Sequence, residues 1–311
     1  MQNNKIILTY FDGNFYDRGA ILLRSLLENL EVRAQILVYA LDEQCADLIK
    51  NEFGDKIIVR NHFKPNTNSP ILADYFYALS ARVICETAYD LRPGDELLYL
   101  DADIKFYGCP GQVFEELKDY DIAVSEHRLP WFNYHHNKYG RYNVGVNVFK
   151  INERCLAFIK DWLDYCESPN KSESYEKLGF FSDQIFWDRL PQYEVAFKVI
   201  ANSGINTAPW NLFTNPLNRQ AGILYAASDQ LICYHFSSIA WLGGDFWLMS
   251  RAGNIFFGTA EVRDLYRDYI KDLKKPVKTN VQLTGLKTGV KLFLSFITRQ
   301  IIRVANDHRK M

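Results

Sequence analysis

Short apolar runs alternate with longer stretches of helical periodicity from the fifth residue onward, and this alternation restricts the fold more than any single residue. Lys5–Tyr10 is apolar, Phe15–Leu30 sets Ile21, Leu22, Leu26 and Leu30 at helical spacing, and Ala34–Leu41 is apolar again. Glu43–Phe53 reads as helix and Lys56–Arg60 as a third strand. A chain that repeats strand and helix in this way builds βαβ units, because parallel neighbours need a long crossover. Asn61–Pro70, rich in Asn and Pro, is a loop, and Ala73–Leu91 is a long helix stopped by Arg92-Pro93-Gly94. Leu97–Leu100 is continuously apolar, as a central strand buried on both faces must be. Asp121–Ser125 and Val144–Phe149 are further strands, Asn152–Tyr165 is a helix, and Ser168–Gly179 is a polar surface loop. Beyond Asp183–Leu190 the pattern turns irregular and ring-rich, in the manner of cleft-lining segments. The predicted class is α/β, with a mainly parallel sheet flanked by helices.

A content of 48% hydrophobic and 15% aromatic residues excludes a disordered chain. The formal net charge of −1 conceals a split: residues 1–270 carry 26 basic and 35 acidic side chains, residues 271–311 carry 10 and 2. An acidic body with a basic tail argues against nucleic acid as a partner. In the tail, Leu286, Val290, Phe293, Leu294, Ile297, Ile301 and Val304 recur every three or four positions. Lys287, Lys291, Arg299, Arg303 and Arg309 fall outside that apolar arc. Residues 286–311 are therefore expected to form a basic amphipathic helix, suited to an anionic membrane surface, to the acidic body, or to a dimer contact. The six cysteines are scattered without a C-x-x-C pair and read as reduced thiols rather than zinc ligands. No run has the length of a signal sequence or a membrane span, so the expected location is cytoplasmic, or peripheral on the inner face of the cell membrane.

The apolar run Leu97–Leu100 ends in Asp101-Ala102-Asp103. On a strand, positions i and i+2 share a face about 7 Å apart. Two adjacent carboxylates there repel each other and resist burial, which a proton, or a divalent ion that prefers oxygen such as Mg²⁺ or Mn²⁺, would relieve. The plain alternative is a pair of aspartates opening a turn. In open α/β sheets the ligand crevice lies at the carboxyl ends of the strands, where this pair falls. Arg82 lies beside the apolar stripe of Tyr75, Leu79 and Val83, and so requires an anion, either a carboxylate or a ligand phosphate. Asn143, Gly145 and Asn147 are expected on one strand face, with Val144, Val146 and Val148 on the other. A glycine inside a strand marks a bulge or close approach by a ligand. His235 sits in the apolar run Leu231–Phe236 and is either a ligand or a satisfied core side chain. Ser182 before Asp183-Gln184 has the form of a helix cap. Trp210 and Trp241 either stack on sugars or fill the core.

The ordered series Asp101-Ala-Asp103, Asn143-Val-Gly145-Val-Asn147 and Ser182-Asp183-Gln184 resembles the nucleotide-sugar transferases of GT-A fold, in particular glycosyltransferase family 8. Trp210-Asn211 and Tyr234-His235-Phe236-Ser237 resemble segments of bacterial relatives, and the landmarks span residues 5 to about 240. The resemblance implies that Asp101 and Asp103 bind Mn²⁺ or Mg²⁺, Asp103 more directly, with His235 as third ligand. It implies that Thr9, Tyr10 and Asp12 hold the nucleoside, that Arg82 approaches the diphosphate or donor sugar, and that Ala102 belongs to the donor site. Asn143 and Gly145 would face the transferred sugar, and Asp183 with Gln184 would line its reactive carbon. It also implies a catalytic domain over 1–250, with a nucleotide half at 1–125 and a sugar and acceptor half at 126–250. A helical extension at 251–285 and the tail at 286–311 would follow. The sequence departs from the family pattern after His235, where Phe-Ser-Ser-Ile-Ala-Trp241 stands in place of Gly and Lys-Pro-Trp. The implied activity is transfer of a sugar from a nucleoside-diphosphate donor to a glycan or glycolipid hydroxyl in bacterial polysaccharide or lipopolysaccharide synthesis, with retention favoured over inversion, which would need Asp183 or Glu126 as the base. A non-catalytic sugar-binding protein of the same fold and an aspartate-nucleophile phosphohydrolase are the competing readings.

Overall fold

The computed structural model describes residues 3–61, 72–131, 140–168, 182–243, 245–250, 259–273 and 301–303. Strand β1 (Lys5–Phe11), helix α1 (Tyr16–Asn29), β2 (Gln35–Ala40), α2 (Glu43–Phe53) and β3 (Ile58–Asn61) follow in βα alternation. Helix α3 (Leu72–Asp90), β4 (Glu96–Leu100), β5 (Ile104–Phe106), the short α4 (Gly111–Glu115), β6 (Ile122–Glu126) and β7 (Tyr142–Lys150) come next. After α5 (Glu153–Glu167), α6 (Ser182–Phe186) and β8 (Phe197–Val199), seven strands stand in one sheet in the order β3-β2-β1-β4-β7-β6-β8. Four of its six pairings are parallel; β7 runs antiparallel to both β4 and β6. The mainly parallel sheet read from the sequence is thus present, and it continues across position 125. The loops expected at 61–70 and 168–179 lie almost wholly outside the described residues.

Alternation along the strands sorts the core into two layers. Ile7, Val38, Leu98 and Leu100 pack against Leu22 and Leu26 of α1 and Ile49 of α2. Ile6, Leu8, Leu97 and Tyr99 pack against Leu79 and Val83 of α3 and Phe158, Ile159 and Trp162 of α5. Side chains of β4 are therefore buried on both faces, each contributing about 1.5–3 kcal/mol, which explains the unbroken apolar run. Asp42 caps α2 by accepting from Cys45 N at 2.7 Å, and Asn152 caps α5 by accepting from Cys155 N at 2.9 Å. All six cysteines are free thiols.

The second half adds small sheets. Strands β9 (Leu217–Gln220), β10 (Ile223–Ala226) and β11 (Asp229–Gln230) form one meander. Strand β12 (Cys233–His235) pairs antiparallel with β5. Strands β13 (Ala240–Gly243) and β14 (Phe246–Leu248) form a hairpin, and helix α7 (Ala260–Asp272) covers β12. Tyr234, Phe236, Tyr266 and Tyr269 close a third apolar cluster, with Phe236 and Tyr269 stacked at 3.7 Å between centroids. The tail departs from expectation. Ile301–Arg303 form strand β15, paired antiparallel with β14, so an amphipathic helix does not run unbroken through 286–311. An edge offered by β14 binds an extended partner, and helical spacing alone cannot register such an edge. The rest of 286–311 lies outside the described residues. Among the described residues no helix is long and apolar enough to cross a membrane.

Candidate functional site

The acidic pair is carried by a turn rather than by a strand. β4 ends at Leu100, and Ile104 N donates to Asp101 O at 3.3 Å, so Asp101–Asp103 folds over into β5. The strand spacing expected for the two carboxylates gives way to a tighter arrangement. Register between β5 and β12 sets His235 opposite Ile104, and Phe236 N donates to Asp103 O at 2.9 Å. In this way a histidine far along the chain reaches the turn. His235 Nε2 lies 2.9 Å from Asp103 Oδ1 and 3.7 Å from Asp101 Oδ2, and one donor atom from each residue falls within 4.8 Å of the others. His235 is 6% exposed, Asp103 16% and Asp101 35%, so the cluster opens to solvent on the Asp101 side.

Charge within the cluster is unbalanced. Burial lifts the Asp101 carboxyl above the ordinary carboxylate range, and the Asp103 charge adds to this against the pull of His235. Burial pushes Asp103 the same way, but the imidazole beside it, and behind that Arg18, hold its carboxyl low. Burial disfavours a charged His235, yet the Asp103 carboxylate raises its pKa overall. Two carboxylates and one imidazole nitrogen converge on a point that favours a positive charge. Octahedral coordination at 2.0–2.1 Å sets neighbouring donors about 2.9 Å apart; the His235–Asp103 pair stands at 2.9 Å, and Asp101 is more open at 3.7 Å from His235. The donor set suits Mg²⁺ or Mn²⁺.

A chain of amides braces the imidazole from behind. His235 Nδ1 lies 3.3 Å from Asn206 Oδ1, Asn206 Nδ2 donates to Asn143 Oδ1 at 2.9 Å, and Asn143 Nδ2 donates to Gln184 Oε1 at 3.1 Å. With Asn206 oriented so, Nδ1 of His235 is the donor, which leaves Nε2 facing the carboxylates. The edge of the Trp210 indole meets the His235 ring at 5.1 Å between centroids, and Asn211 Nδ2 holds Asn206 O at 3.1 Å. Trp210 thus serves as a wall of the cluster. On the other side, Tyr99 Oη donates to Asp101 Oδ1 at 2.9 Å, and Tyr10 stacks on Tyr99 at 6.2 Å.

Gly145 completes the cradle. A Cβ there would stand 2.8 Å from Asp101 Oδ2 and 2.9 Å from both Asn143 Oδ1 and His235 Cε1. Its amide donates to Asn143 Oδ1 at 3.1 Å and its carbonyl accepts from Asp101 N at 2.9 Å. The strict alternation expected for β7 fails at this point. A bulge shifts the β6–β7 register, Val144 packs in one core layer while Val146 and Val148 pack in the other, and Asn147 Nδ2 turns back onto Val144 O at 2.7 Å. Asn143 and Gly145 therefore face the cluster, while Asn147 is fully buried and bonded within its own strand.

Of the remaining expected residues, Tyr10 joins the cluster, its hydroxyl pKa raised by burial and then by the Asp101 charge, with Asp183 and Asp103 also in range. Asp183 is buried in the first turn of α6, where its carbonyl accepts from Trp162 Nε1 at 3.0 Å. Thr9 is wholly buried, with no hydrogen-bond partner found for its hydroxyl. Asp12 Oδ1 accepts from Phe15 N at 3.0 Å in the turn leading to α1. The Ala102 side chain packs into the core, leaving its backbone to the turn. Arg82 is ion-paired with Glu167 at the end of α5, the kind of carboxylate partner weighed against a ligand phosphate. Tyr99 and Asn206 were not foreseen. Tyr99 could have been found from its i, i+2 relation to Asp101. Asn206 has a φ of 56° in an irregular segment, and no periodicity marks it.

No family model matches the chain. Its sequence is 24% identical over 187 residues to the uncharacterized protein YfnD of Bacillus subtilis (strain 168), covering 57% of each chain. It is 26% identical over 151 residues to YfnF of the same organism, covering 46% of this chain and 49% of that one. The chain thus spans about half the length of the curated relatives it matches. Among solved structures, galactosyltransferase LgtC in complex with donor and acceptor sugar analogs superimposes with a TM-score of 0.52 at 14% identity, covering 89% of this chain and 98% of that one. Mouse xyloside xylosyltransferase 1 gives 0.49 at 15% identity over 75% and 97%. The fold, a mainly parallel sheet flanked by helices, is the GT-A fold, shared with LgtC.

Proposed function

We propose that the protein is a divalent-metal-dependent glycosyltransferase that moves a sugar from a nucleoside-diphosphate donor to a hydroxyl of a glycan or glycolipid. The convergence of Asp101, Asp103 and His235 donor atoms within 4.8 Å, in a cradle that Gly145 keeps clear, carries the reading. Those three residues would hold Mn²⁺ or Mg²⁺, which when bound supplies positive charge against the diphosphate. Support also comes from the fold shared with LgtC, a galactosyltransferase studied with donor and acceptor sugar analogs. On this reading Tyr10 and Asp12 contact the nucleoside, with Thr9 buried behind them, and Asn143 and Gly145 face the sugar. Asp183 and Gln184 line the carbon at which the bond to the diphosphate breaks and the bond to the acceptor oxygen forms.

The Asn143–Gln184 hydrogen bond fixes both amides before substrate arrives, and with Asn143 Oδ1 already accepting from Gly145 N and Asn206 Nδ2, the Gln184 amide N–H groups are preorganised for sugar hydroxyls. Retention is the favoured outcome. No carboxylate is then needed as a strong base, and the acceptor proton passes to the departing phosphate oxygen. Assembly of a bacterial polysaccharide or lipopolysaccharide suits a glycan acceptor and the basic tail.

The test is a panel of nucleotide-sugars incubated with the protein and Mn²⁺, with release of nucleoside diphosphate as the readout. At least one donor is expected to be hydrolysed slowly without acceptor, with loss of about a hundredfold or more in Asp103→Asn and after chelation. A panel turned over equally by wild type and Asp103→Asn would contradict the proposal.

A further inference from the structure

A diphosphate leaving group needs more positive charge than the metal cluster can offer. Asp101 and Asp103 already match the two charges of a divalent ion, so the ion and its ligands together carry little net charge toward the phosphates. Arg82 is engaged by Glu167. Arg18 is placed differently. It lies in the first turn of α1, and Ser25, seven residues or two turns further on the same face, accepts from Phe106 N of β5 at 3.0 Å. Val32, just past the end of α1, approaches Gly111, so α1 and β5 run in the same direction from one contact to the next, and Arg18 lies toward the end of β5 that carries Asp103. Its Nη2 donates to Ile239 O at 3.2 Å, on the segment that leaves His235, and the guanidinium carbon lies 4.4 Å from the Phe15 ring centroid. Nε is buried with no hydrogen-bond partner, and no carboxylate is ion-paired with this guanidinium among the described residues.

We infer that Arg18 is a diphosphate-binding residue: braced by Ile239 O and Phe15, its guanidinium presents N–H groups to phosphate oxygens bound beside Asp101, Asp103 and His235. This inference rests on the metal-dependent transferase reading and assigns the second positive charge of that site.

Calorimetric titration of the full chain with Mn²⁺, and then with pyrophosphate at saturating Mn²⁺, tests it. Wild type binds both. Arg18→Gln is expected to bind Mn²⁺ within about twofold of wild type and pyrophosphate about ten- to a hundredfold more weakly, as for loss of a charge-assisted bond. Arg18→Lys keeps the charge but not the fork, so it falls between the two and also guards against misfolding of the glutamine variant. Wild-type pyrophosphate affinity in both variants overturns the assignment and leaves the metal reading intact. Loss of Mn²⁺ binding together with pyrophosphate in the folded lysine variant makes Arg18 structural and overturns it as well. Failure of wild type to bind Mn²⁺ overturns the transferase reading and this inference with it.

Discussion

Gly145 is the residue on which the cluster depends most sharply, since a methyl group there would press on Asp101 Oδ2 and the His235 ring together. Neither neighbour can retreat easily: Asp101 is tied to Tyr99, and His235 is held by Asn206 and Trp210. Gly145→Ala is therefore expected to fold, because the strand backbone is unchanged, while losing at least about tenfold in Mn²⁺ affinity. Unchanged stabilisation of the variant by Mn²⁺ in a thermal melt would contradict the cradle. At this scale the sequence was partly legible. The acids and the glycine inside a strand stood out by type. The turn that replaces strand spacing at Asp101–Asp103 and the bulge that separates Asn143 from Asn147 did not, because both depend on hydrogen bonds between distant segments. Asn206 was invisible for the same reason.

Elements of the first half were legible almost to their ends, since α1, α2 and α3 each bury a periodic stripe in one core layer and β1, β2 and β4 bury side chains in both. β12 and β15 were not, being three residues long and specified by the partner edge. The entry to β4 is held by Asp95, which accepts from Asn4 N at 2.8 Å and Arg92 N at 3.1 Å. These bonds outweigh burial and hold its carboxyl below the usual carboxylate range. A lowered folded pKa stabilises the fold above the unfolded value and stops doing so as pH falls through the folded one. Asp95→Asn should cost about 1–3 kcal/mol near neutrality, with the gap to wild type closing below about pH 4. Urea denaturation across pH checks this; a gap that persists undiminished at pH 2–3 would assign the loss to packing instead.

The whole molecule pairs an acidic body with a basic end, and the sheet that joins β13, β14 and β15 ties part of that end to the body. Removing the tail would strip a strand, so charge reversal is the cleaner probe. The protein is expected to co-sediment with vesicles rich in anionic lipid, and Lys287→Glu with Lys291→Glu to weaken this about tenfold or more at low salt. Equal sedimentation of the two forms would remove the tail as an anchor.

At the centre of the account is one divalent ion held by Asp101, Asp103 and His235. Titration of Mn²⁺ followed by electron paramagnetic resonance tests this without knowledge of the substrate. Wild type is predicted to bind a single Mn²⁺, with affinity reduced at least tenfold in Asp103→Asn and in His235→Gln. Binding that is absent in wild type, or unchanged in both variants, would contradict it.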